Sequence, residues 1–112
     1  MHASLIHRLE AAVTTLSGNG ALKERLTRAY ARHLEHLEPE ALPATVRSEF
    51  AALANALHSA RAFPSDSIVS ASVRKLSIEE AERCAALIVR TYTQVAGGEI
   101  MSTPALKIAG TG

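Results

Sequence analysis

Residues 32–38, Arg-His-Leu-Glu-His-Leu-Glu, bring two imidazoles and two carboxylates within seven positions. Imidazole nitrogen and carboxylate oxygen are donors that zinc accepts. Histidines that share an ion from one helix stand most naturally four apart, as in H-E-x-x-H or H-x-x-E-H. His33 and His36 stand three apart, in the pattern H-x-E-H. That spacing sets the rings about 60° apart around a helix, so a shared ion needs further ligands. No glutamate precedes a histidine by three, so the Glu-x-x-His pairs of di-iron bundles are missing. His33 and His36 are therefore the only metal candidates. The pattern predicts a hydrogen-bonded histidine on an apolar face beside an exposed one, with no metal and no cofactor.

The other reactive side chains are sparse. A Ser-His-Asp set would have to recruit Asp66, the single aspartate, and no G-x-S-x-G turn is present. Cys84 sits mid-helix in ERCAALI, away from a helix N-terminus, and reads as a small buried hydrophobe. Ser17-Gly-Asn-Gly20 offers two glycines of a phosphate loop, but a helix precedes it rather than a strand. Arg25, Arg28 and Arg32 form one helical stripe, suited to phosphates or an acidic partner. Glu24 and Glu35 border it, so a solvated face with local ion pairs accounts for the same spacing. A helix-turn-helix over residues 70–88 fails, because Glu79, Glu80 and Glu82 open its recognition helix and would repel phosphates.

The elements that hold these residues are helices. The first spans 3–16, with Leu5, Leu9, Val13 and Leu16 on one face and Ser17–Gly20 ending it. A second is predicted from Gly20 to Leu37, with Leu22, Leu26, Ala29, His33 and Leu37 within about 80° of arc and His33 in the middle. After a proline corner at 38–43, a third carries Val46, Phe50, Leu53, Leu57 and Ala60 and ends near Arg61. Ser65 or Asp66 caps a short fourth, with Val69, Val73 and Leu76 on its face. Ser77-Ile-Glu-Glu80 is a capping box for the last, whose seam is Ile78, Ala81, Ala85, Ile88, Tyr92 and Val95. Gly97-Gly98 is expected to stop it. The fold class is all-α, an antiparallel bundle of four long helices plus one short helix. Residues 1–96 form a single domain, and 97–112 are a flexible or docking tail with Ile100, Met101, Leu106 and Ile108.

The chain has 112 residues, enough for one core, with formal net charge +1. That balance disfavours a dedicated nucleic-acid binder. One cysteine excludes an internal disulfide and suits a reducing compartment. No leader pattern and no apolar run of membrane-spanning length appear, so a cytoplasmic protein with no membrane partner is expected. The reading is a small non-enzymatic interaction protein whose partner is itself or another protein. A homodimer would form through Leu87, Ile88 and Tyr92, because the last helix carries more apolar arc than one neighbour covers. The alternative is a nucleic-acid-binding or regulatory protein that uses Arg25, Arg28 and Arg32.

Overall fold

A computed structural model describes residues 2–60 and 67–100. Among them the fold is all helical, with no strand. The five α-helices are α1 (His2–Leu16), α2 (Leu22–Ala29), α3 (Ala44–Leu57), α4 (Ile68–Lys75) and α5 (Ile78–Ile100). A π turn, Tyr30–Leu34, continues α2, and a short 3-10 turn, Pro39–Ala41, fills the proline corner. The long α5 packs on α1, α2 and α3, while α4 closes against α2 and α3. No described helix is long and apolar enough to cross a membrane.

The core follows from the apolar periods. Leu5, Leu9, Ala12 and Leu16 of α1 meet Leu26, Ala29 and Tyr30, and Val46, Phe50, Leu53 and Leu57 of α3 fill the other side. Three local rules hold as the residue types dictate. Ser77 and Glu80 close a reciprocal capping box: the Ser77 N–H donates to Glu80 Oε1 at 2.8 Å, and the Glu80 N–H donates to Ser77 Oγ at 3.0 Å. Gly20 takes a positive φ of 105°, which lets the chain reverse between α1 and α2. Ser72, buried between helices, accepts the Ala60 N–H on its Oγ at 3.0 Å.

Other expectations are corrected. The second helix is not α-helical to Leu37: the Glu35 N–H donates to the Tyr30 carbonyl at 2.8 Å, a bond to the fifth preceding residue. Slower winding brings Leu34 into the core and turns His33 off centre, so Leu34 is buried and His33 only half-buried. In α1, Ala12 rather than Val13 completes the buried face. Helix α3 ends at Leu57, short of Arg61, and Ser67 caps α4 by accepting the Ser70 N–H at 2.9 Å. Arg61, Ser65 and Asp66 lie outside the described residues. Helix α5 runs through Gly97 and Gly98 to Ile100. Glycine weakens a helix by about 1 kcal/mol but ends it only where the chain leaves helical φ, which neither residue does. Residues 101–112, with the rest of the expected tail, lie outside the described residues.

Candidate functional site

His33 and His36 do not converge on an ion. Thr15 donates its hydroxyl proton to the Ala11 carbonyl at 3.0 Å, and the same oxygen lies 3.2 Å from His33 Nε2. The hydroxyl proton is already engaged, so Nε2 carries the proton of that second bond and presents no lone pair there. His36 is exposed. Among the described residues, no three His, Cys, Asp or Glu side chains gather as a metal site would require.

A second histidine contact was not foreseen. The Tyr30 hydroxyl and His58 Nε2 share a hydrogen bond of 3.1 Å, with the rings edge to face at 5.6 Å between centroids. It ties the start of the π turn to the end of α3. Burial, then the nearby Glu35 carboxylate, pushes the Tyr30 phenol up to about 12, so it stays protonated at neutral pH and acts as a neutral bridge.

Much of the arginine stripe is engaged inside the chain. Arg25 Nη1 donates to the Leu16 carbonyl at 2.6 Å and its Nε donates to the Gly20 carbonyl at 2.9 Å. Arg28 Nη2 donates to the Asn19 carbonyl at 2.9 Å. These carbonyls belong to the end of α1 and its connection, where a helix leaves acceptors unsatisfied and its dipole is negative. Arg25 and Arg28 therefore clamp the α1–α2 corner. Arg32 is exposed, and none of the described residues partners it.

The three interface candidates on α5 do not share a surface. Ile88 is 0% exposed and belongs to the core of the single chain, a correction to its assignment as an interface residue. Leu87 and Tyr92 are each half-buried, and five residues separate them by about 140° around the helix, one on either flank of Ile88. On the Leu87 side, Leu53, Leu76, Cys84 and Leu87 line an open apolar groove of about 310 Å³ between α3 and α5. Burial, then Glu80, raises the Cys84 thiol, which opposes formation of the reactive thiolate.

The Tyr92 side carries what the sequence reading missed. The seam expected on α5 resolves into two. The inner one, Ala81, Cys84, Ile88, Thr91 and Val95, faces the core. The outer one is Ile78, Glu82, Ala85, Val89, Tyr92 and Ala96, spaced four, three, four, three, four and confined to about 80° of arc. Ile78 is 54% exposed and Val89 42% exposed on this stripe, two of the three exposed large apolar side chains among the described residues. The spacing itself was the available signal, since it is a heptad pattern displaced by one residue from the buried one.

No family model, no curated protein and no solved structure matches this chain.

Proposed function

We propose that this is a non-enzymatic interaction protein that pairs with a second copy of itself through the outer seam of α5. The observation that carries the reading is the joint exposure of Ile78 and Val89 on one heptad-spaced stripe. A solvent-facing helix stripe is ordinarily polar, and here Glu82 is its one charged member. A seam of this spacing packs best on another of the same kind, and a two-fold axis gives each copy the same patch to bury. Within one copy the architecture is an antiparallel bundle of α1, α2 with its π turn, α3 and α5, with α4 as the short fifth helix. A reducing, cytoplasmic setting suits its free thiol, Cys84.

Nucleic-acid binding through the stripe of Arg25, Arg28 and Arg32 loses support, because two of the three guanidinium groups already serve backbone carbonyls. A phosphate track needs several cations free to face it.

Sedimentation equilibrium of the full chain tests the dimer. The expected result is a dimer mass that Val89→Glu reduces to a monomer mass with an unchanged thermal melt, since Val89 faces solvent in one copy. A monomer at every concentration up to the solubility limit, or a dimer indifferent to Val89→Glu, would overturn the reading.

A further inference from the structure

The outer seam of α5 carries two polar heads among its apolar residues, and one copy of the chain uses neither. Among the described residues, the Glu82 carboxylate and the Tyr92 hydroxyl have no hydrogen-bond or ion-pair partner. Glu82 is exposed, while Tyr92 is half-buried and packs against the core. Ten residues separate them, about 15 Å along the helix, so the two heads do not bond each other within one copy.

Resting on the reading that α5 pairs with a second copy, we propose that the two helices run antiparallel with their two-fold axis at the level of Leu87. Glu82 of each copy then accepts a hydrogen bond from the Tyr92 hydroxyl of the other. The spacing four, three, four, three, four reads the same in both directions, so a reversed partner meets all six seam positions at once. In this register Ile78 lies opposite Ala96, Glu82 opposite Tyr92 and Ala85 opposite Val89. Each pair joins unlike residues: a large side chain meets a small one at two levels, and an acceptor meets a donor at the third. Large against small fills an interface without voids or overlap. A phenol that donates to a carboxylate makes a charge-assisted bond, roughly twice as strong as a neutral one. The two-fold axis supplies that bond twice.

The other arrangements each carry a fault. A parallel pair in register sets every residue against its own kind. Two Glu82 carboxylates then repel at one level, and the alanines face each other across a gap. An antiparallel pair slipped by one heptad covers four seam positions instead of six. Slipped one way, it seats Glu82 against Ala85, where a covered carboxylate finds no donor. Slipped the other way, it leaves Ile78, the most exposed large apolar residue of the seam, uncovered.

Pulsed electron resonance on the full chain reads the orientation. Cys84→Ser removes the natural thiol, and a nitroxide is attached at Ala86→Cys or at Glu79→Cys, two exposed positions outside the seam. The antiparallel register offsets the paired labels along the axis by about 3 Å at position 86 and about 24 Å at position 79. A parallel pair gives equal distances at the two sites, and a slipped register gives an offset of about 14 or 35 Å at position 79. Either result overturns the proposal. The contact is read separately by sedimentation: Tyr92→Phe should raise the dimer dissociation constant about tenfold or more with the monomer melt unchanged. On a Glu82→Ala background the same change should have no further effect, and an equal loss on both backgrounds would remove the contact. A monomer mass at every concentration ends the pairing and this inference with it. A dimer that fails only these tests keeps the pairing and overturns its direction or its contact.

Discussion

The two seams of α5 make the most instructive comparison in this molecule. They lie side by side on one helix, repeat at the same spacing and draw on similar small and apolar side chains. Yet Ile88 is fully buried while Val89, the next residue, faces solvent. Local pattern therefore says that a helix can pack along such a stripe, and only tertiary context says which stripe does. The inner seam is filled by α1, α2 and α3 of the same copy. The outer seam, open to solvent at Ile78 and Val89, is the one the proposed pairing would cover.

Substitutions at adjacent positions can break or sharpen this contrast. The largest effect is expected at Ile88→Ala, which leaves a cavity in the core and should cost about 2–5 kcal/mol in urea denaturation. Val89→Ala, measured as the monomer on a background that prevents pairing, should stay within about 0.5 kcal/mol. Equal costs at the two positions would abolish the distinction between the seams. Next comes Ser77→Ala, which opens the capping box where both seams begin and should cost about 1 kcal/mol. A neutral result there would mean that packing alone fixes the start of α5. The smallest effect is expected at Glu49→Gln. It breaks the ion pair in which Arg90 Nε meets Glu49 Oε1 at 3.0 Å between two exposed side chains, so the cost should stay below about 1 kcal/mol and vanish at high salt.

The parts of the fold legible from the chain are those governed by neighbours in sequence. Val46, Phe50, Leu53 and Leu57 announced the buried face of α3, and Ser77 with Glu80 announced the start of α5. The parts that were not legible depend on partners beyond the local window. Arg25 and Arg28 look like a surface stripe until the chain reverses at Gly20 and sets the end of α1 beside them. Lys23 and Arg74 are 51 residues apart in sequence and meet only through packing of α2 on α4. On α5 the apolar surplus was readable, but its assignment to Leu87, Ile88 and Tyr92 ignored that a residue at the centre of a buried seam has no surface left to offer.

The π turn at Tyr30–Leu34 has a consequence in chain length. A ring that closes on the fifth preceding residue holds one residue more than an α turn, so the segment behaves as an insertion already absorbed by the helix. Removing one residue there, Arg32 for instance, would let ordinary α winding resume. Every position after the deletion would then keep nearly its present orientation while the helix became regular. A deletion one turn earlier, among the α-helical residues Leu22–Ala29, would instead swing Tyr30 and Leu34 out of the core. In this helix, tolerance of a lost residue is set by the winding of the backbone at that point and not by how exposed the lost side chain is.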